Sequence, residues 1–202
     1  MIYRAALNTG PGAATACETL FATNDWGATW IGGIYTHHHY HSTAPEVLGI
    51  AAGSVRLRLG GEHGKLLELG ASDVVVIPAG VAHKNEGASP DLTVVGAYPV
   101  GKSPDMRKPA AREREEALRN ISQVALPARD PVYGPSGPLI DRWQRAAARA
   151  RGRRPGATGR NGTATSSAPN RRHRAHCWSA RPAARPAGGF QSRIRHCTFR
   201  GR

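Results

Sequence analysis

Between residues 33 and 83 this chain spaces its histidines, one glutamate and its glycines in a way that leaves few folds open. The run Gly33-x5-His39-x-His41-x4-Glu46-x6-Gly53 is followed by Pro78-x-Gly80-x2-His83. His39 and His41 are two apart, so an extended strand places both imidazoles on one face, a single pleat apart. His37 falls on that face too, and His38 and Tyr40 on the other. Ser42-Thr43-Ala44-Pro45 supplies turn-forming residues, and beyond it Glu46 can return to the same interior. His83 follows the turn Pro78-Ala79-Gly80 and can bring in a third imidazole from another strand. Three imidazoles and a carboxylate form the donor set of a divalent transition metal.

The rest of the chain supports a β-rich scaffold. Val55, Leu57 and Leu59 alternate with Arg56 and Arg58, and Gly60 to Gly64 reads as a hairpin loop before Lys65 to Leu69. Val74 to Ile77, His83 to Glu86 and Leu92 to Tyr98 continue a series of short strands separated by turns. Ile2 to Leu7 reads as a short strand. Ala13 to Asn24 reads as a helix, with Cys17, Leu20 and Phe21 on one face. Pro109 to Asn120 reads as a surface helix with Arg112/Glu116 and Glu115/Arg119 at i, i+4. Residues 126 to 143 are rich in Pro and Gly and read as an extended wrapping segment anchored by Val132, Tyr133, Leu139, Ile140 and Trp143.

These motifs resemble the cupin superfamily. Its first signature, Gly-x5-His-x-His-x3,4-Glu-x6-Gly, is met at every specified position by Gly33, His39, His41, Glu46 and Gly53. Its second, Gly-x5-Pro-x-Gly-x2-His-x3-Asn, is met by Pro78, Gly80 and His83, with Ser72 in place of the first Gly and Gly87 in place of the Asn. The resemblance covers about residues 30 to 100. It implies an all-β fold, a single cupin barrel (double-stranded β-helix, jelly roll), to which periodicity adds an N-terminal helix and a C-terminal helix and composition a disordered basic tail. It implies His39, His41, Glu46 and His83 as ligands of one divalent transition metal, Fe, Mn, Ni, Zn or Co. By analogy it also implies a homodimer. Leu20 to Gly33 and Asp130 to Trp143 further resemble short bacterial single-cupin proteins of unassigned activity.

The division expected is residues 1–29 as a strand and helix packed on the barrel, 30–100 as the barrel, 101–146 as a helix and wrapping segment, and 147–202 as the tail. Such a site leaves about two positions open on an octahedral ion. Iron there could bind oxygen and a chelating substrate together, and the other metals could polarise a carbonyl or enolate. The expected function is therefore a metal-dependent enzyme of dioxygenase or isomerase type acting on a small organic molecule. Glu46 and His37 are its candidate catalytic residues. The alternative is a non-catalytic cupin that binds a small ligand or a metal. Val55, Leu57, Val74, Val76 and Val94 are expected to wall the cavity. Tyr35 and Tyr98 are candidates for its mouth.

Charge separates the tail from the body. All 14 acidic residues lie before residue 147, balanced by 14 Lys and Arg, whereas residues 147 to 202 carry 14 Arg and no acid. The net charge of +14 therefore describes the tail and does not make the body a nucleic-acid binder. Cys17, the body's one cysteine, has no local partner, which argues against a disulfide framework. Residues 1 to 4 do not read as a secretory leader and no apolar run is long enough to span a membrane, so the expectation is a cytoplasmic protein with no membrane partner. The tail admits a nucleic-acid-binding arm. A zinc site from His173, His176, Cys177, His196 and Cys197 matches no defensible spacing, and a Cys177–Cys197 disulfide does not suit a reducing compartment. An Arg, Ala, Gly, Pro and Ser mixture is also what a GC-rich gene yields when read out of frame, and this is the reading we adopt. Removal of residues 147 to 202 is then expected to leave the melting temperature and metal binding unchanged. Loss of DNA retention alone would instead support an arm.

Overall fold

Alternating inward and outward side chains build two sheets around a shared apolar layer. The structure is a computed structural model and describes residues 1–152. The strands are β1 (Ile2–Tyr3), β2 (Trp26–Gly32), β3 (Glu46–Ala52), β4 (Ser54–Leu59), β5 (Lys65–Gly70), β6 (Val74–Ile77), β7 (His83–Ala88) and β8 (Thr93–Pro99). The helices are α1 (Ala13–Thr23), α2 (Arg114–Gln123) and α3 (Pro138–Gly152), with a 3₁₀ turn at Ala111–Glu113. A five-stranded sheet runs β1-β6-β3-β8-β2 and a three-stranded sheet runs β5-β4-β7. Every pairing is antiparallel. In place of the expected closed barrel there are two antiparallel sheets that do not join into one continuous ladder.

Parity along β3 divides the interior. Leu48 and Ile50 point between the sheets and meet Val55, Leu57, Leu69, Val75, Ile77 and Val94. Val47 and Ala51 point the other way, with Val74, Val76, Val95 and Ala97, toward Cys17 and Phe21 of α1. Val74 and Val76 therefore do not wall the space between the sheets, because the period of two in β6 turns Val75 and Ile77 inward. A Cβ at Gly49 would stand 2.6 Å from the Cys17 sulfur, so the glycine is what lets α1 lie flat on β3. Burial pushes the Cys17 thiol up to about 12, which makes it a packed apolar group. A register irregularity between Gly27 and Trp30 in β2, with Ala28 at φ 48°, changes the facing. Trp26 is buried on the helix side, and Trp30 packs on the layer between the sheets.

Two signature positions can be read from the backbone. Gly53 has φ +71°, and a Cβ there would meet the Leu92 backbone at 2.8 Å, so only glycine fits. Ser72, where the cupin signature has glycine, adopts φ 78°. The left-handed turn is kept and a non-glycine residue bears its strain.

Three expectations are corrected. Gly33 to Pro45 is not a continuous strand, since its partners alternate. His39 exchanges backbone hydrogen bonds with His83 (3.1 and 2.8 Å), and Tyr40 exchanges them with Arg107 (2.9 Å each). Glu116 pairs with Arg107 at 2.5 Å where the sequence pattern placed Arg112. The segment expected to wrap in extended form turns helical at Pro138, and α3 runs through residues 147 to 152, so a tail deletion belongs after Gly152. The calls on residues 153 to 202, including the zinc set and the Cys177–Cys197 bridge, lie outside the described residues. Among the described residues no helix is long and apolar enough to cross a membrane.

Asp130, fully buried, ties the C-terminal segment to β1. Its carboxylate accepts from the Tyr3 hydroxyl (2.7 Å) and from the backbone N–H groups of Leu139 (3.0 Å), Val132 (2.9 Å) and Tyr133 (3.1 Å). Asp130→Ala strands these donors and is expected to cost about 3 kcal/mol. Urea denaturation checks this.

Candidate metal centre

Four buried side chains from three separate segments meet between the sheets. His39 and His41 come from the irregular run after β2, Glu46 opens β3 and His83 opens β7. Their exposures are 4%, 6%, 2% and 2%. Donor atoms of the three histidines all lie within 4.8 Å of one another. Glu46 Oε2 is 3.1 Å from His83 Nε2 and 3.5 Å from His41 Nε2. Strand parity explains Glu46, which stands on the face of Leu48 and Ile50. His83 is placed by its backbone exchange with His39.

Each imidazole is oriented by a backbone carbonyl at Nδ1. His41 Nδ1–H donates to Asp105 O. His39 and His83 make longer bonds of 3.4 Å to His37 O and Val81 O. This tautomer leaves each Nε2 lone pair free to face the cluster. The Tyr98 hydroxyl donates to Glu46 Oε1 at 2.6 Å and lies 3.4 Å from His41 Nε2. With His41 and His83 protonated at Nδ1 only, buried Glu46 Oε2 has no hydrogen-bond donor, although both Nε2 atoms stand beside it. Three buried imidazoles whose donor atoms converge beside a carboxylate could bind a divalent cation, which would supply the positive charge this oxygen lacks.

The shifts of His39 and Glu46 favour the forms that bind a cation, and that of His41 does not. Burial, reinforced by neighbouring His83, lowers His39 to about 4, so this imidazole is neutral at pH 7. Burial by itself would raise Glu46, but His41 and His83 outweigh it and hold the carboxyl at about 2. Burial opposes protonation of His41, yet Glu46 and Asp105 raise it above its ordinary value. Burial and the Glu46 carboxylate push the Tyr98 hydroxyl upward, so it stays a donor.

The cluster lies in a cavity of about 460 Å³ whose other walls include Trp30, Ile34, Tyr35, Leu48 and Met106. The expected valine wall is corrected on this point: Val55, Leu57 and Val94 belong to the packed core. His37 is exposed at the rim, its ring 5.0 Å from Tyr35 and 5.9 Å from His39, and its side chain does not line the cavity. His38 turns away and meets Glu62 at 3.1 Å.

The sequence carried no sign of Asp105. Its carboxylate accepts from Ser42 N (2.6 Å), Ser42 Oγ (2.5 Å) and Thr43 N (3.2 Å), and Arg107 Nε adds a bond at 2.5 Å. It pins the turn between His41 and Glu46 while its own carbonyl aims His41. Only the fold joins positions about sixty apart in the chain.

No family model matches this chain. The uncharacterized protein YjlB of Bacillus subtilis is 44% identical over 126 residues, which is 62% of this chain and 76% of YjlB. At that identity and coverage, the chain belongs to the YjlB family. Among solved structures it overlaps acireductone dioxygenase from Bacillus anthracis with cadmium ion in the active centre, at 16% identity and TM-score 0.33, covering 45% of this chain and 62% of that one. It overlaps oxalate decarboxylase from Bacillus subtilis at 20% identity and TM-score 0.30, covering 54% of this chain and 32% of that one. The chain spans less than two thirds of either, and overlaps at this level carry no argument.

Burial alone would raise the Asp105 carboxyl, but the bonds from Ser42 and Arg107 outweigh it and hold it well below the usual range. A depressed folded-state pKa contributes stability above the unfolded value near 3.8, and that contribution fades as pH falls through the folded value. Asp105→Asn should therefore be less stable than the parent by about 2 kcal/mol at pH 7. The gap should narrow below about pH 4, as followed by chemical denaturation across pH.

Proposed function

We propose that this member of the YjlB family is a metal-dependent protein of dioxygenase or isomerase type that acts on a small organic molecule. His39, His41, Glu46 and His83 hold one divalent transition metal at the base of the cavity. The observation that carries this reading is the orphaned Glu46 Oε2 among three inward-facing Nε2 atoms. When bound, the cation would supply Lewis acidity toward a ligand oxygen or, as iron, oxygen chemistry.

The protein's own groups have distinct tasks in this reading. Tyr98 holds Glu46 by one oxygen and leaves the other for the cation. Asp105 keeps His41 aimed through its carbonyl. Trp30, Ile34, Leu48 and Met106 displace water, which strengthens every charge interaction inside. Glu46 is the one carboxylate in reach of a ligand proton. His37 stands at the rim, where it can meet the outer end of a ligand.

One observation favours a binding protein over an enzyme. Apart from the proposed ligands, Tyr98 is the titratable side chain nearest the cluster, and its environment keeps it protonated. Proton transfer in an enzyme would then fall to Glu46 itself.

Protein purified without added metal is expected to carry about one equivalent of a transition metal by elemental analysis, as its donor set requires. His83→Ala and His41→Ala should lower this to under about a tenth of an equivalent while the far-ultraviolet circular dichroism is kept. Equal metal in parent and variants would overturn the assignment. Turnover of candidate substrates with Fe(II), lost in His41→Ala, separates the enzyme from the binding protein.

A further inference from the structure

We infer that the cavity takes a small oxygen chelator with one negative charge and a flat apolar body, and that it rejects dianions such as dicarboxylates and phosphate. This rests on the metal reading above and concerns what that site accepts.

Charge balance carries the first half. Among the described residues lining the cavity, Glu46 is the single carboxylate and none is Lys or Arg. A divalent cation beside one carboxylate leaves one net positive charge. A monoanion brings the buried site to neutrality. A dianion leaves a negative charge in a partly dry cavity with no cation on the walls to pair with it, which is costly. Arg107, Arg58 and Lys84 of nearby segments are committed elsewhere, and Lys102 and Lys108 are exposed and do not line the cavity. Arg107 is held by Asp105 and Glu116, each at 2.5 Å. Arg58 pairs with Glu86, and Lys84 with Glu62 and Glu86 at 3.2 and 3.3 Å.

The walls carry the second half. Trp30 is seated on β8 at Gly96, where a Cβ would meet three indole atoms at 2.0 to 2.3 Å. That glycine allows the ring to lie against the backbone and present an aromatic surface to the cavity. Tyr35 adds a second ring, and Ile34, Leu48 and Met106 are aliphatic. Aromatic walls favour a flat partner, and a cavity of about 460 Å³ is at the small end of the ligand-pocket range. Met106, 58% exposed, marks the rim position where a cation would have to stand if a second negative charge were to be recognised.

The test uses the full chain with its metal, titrated calorimetrically with two chelators that close the same five-membered ring. Tropolone is flat and monoanionic, and oxalate is dianionic. Metal content is assayed before and after. Relative to their affinities for the free aqueous ion, the protein should favour tropolone over oxalate by at least about tenfold, a difference of about 1.4 kcal/mol. Trp30→Ala should weaken tropolone more than oxalate and so lower the tropolone-to-oxalate ratio. Met106→Arg should move the ratio toward oxalate about fivefold, as a new rim charge at short range does. Oxalate favoured equally or more by a metal-loaded protein overturns the inference and leaves the metal assignment standing. A protein that retains no metal overturns both.

Discussion

The structure turns on a carboxylate taken out of water and set among imidazoles. Burying Glu46 without compensation would cost several kcal/mol. The Tyr98 hydroxyl satisfies one oxygen in every protonation state of the cluster. The other oxygen faces His41 and His83, whose nitrogens compete for the same point in space. That arrangement is what connects the scaffold to chemistry, because it makes the centre of the fold receptive to positive charge. A polar core built only for packing would have both oxygens satisfied.

Holding that point requires backbone as much as side chains. Gly33 to Pro45 carries two of the imidazoles and forms no regular strand, so sheet hydrogen bonds cannot fix it. It is pinned instead from two sides, by His83 at residue 39 and by Arg107 at residue 40, and its turn is gripped by Asp105. The segment after β8 therefore acts on the site twice, through Met106 in the cavity wall and through the Asp105 carbonyl, which sets the tautomer of His41. Arg107 and Glu116 extend the same grip to α2.

The two apolar layers divide the labour. The layer under α1 contains the close approach at Gly49 and provides rigidity behind β3. The layer between the sheets packs tightly at one end and opens into the cavity at the other. Trp30 marks the change between them. The irregularity at Ala28 turns it to the cavity side, and Gly96 makes room for its ring.

Residue spacing alone determined that His39, His41, Glu46 and His83 could converge, and with them the strand series, the N-terminal helix and the turn at Gly53. These depend on local periods and on conformations that only certain residues adopt. His39 and His41 at two-residue spacing, and the inward parity of Glu46, were legible for that reason. Other features depended on which distant segments become neighbours. The sequence could not indicate that Asp105 reaches Ser42, that Asp130 gathers Tyr3 and Leu139, that Tyr98 takes one oxygen of Glu46, or that the walls are Trp30 and Met106 and not Val74 and Val76. Helical pairing was misread at Glu116 because Arg107, outside α2, competes better than the i, i+4 neighbour. Periodicity reports which way a side chain faces, but only the packed chain decides what it meets there.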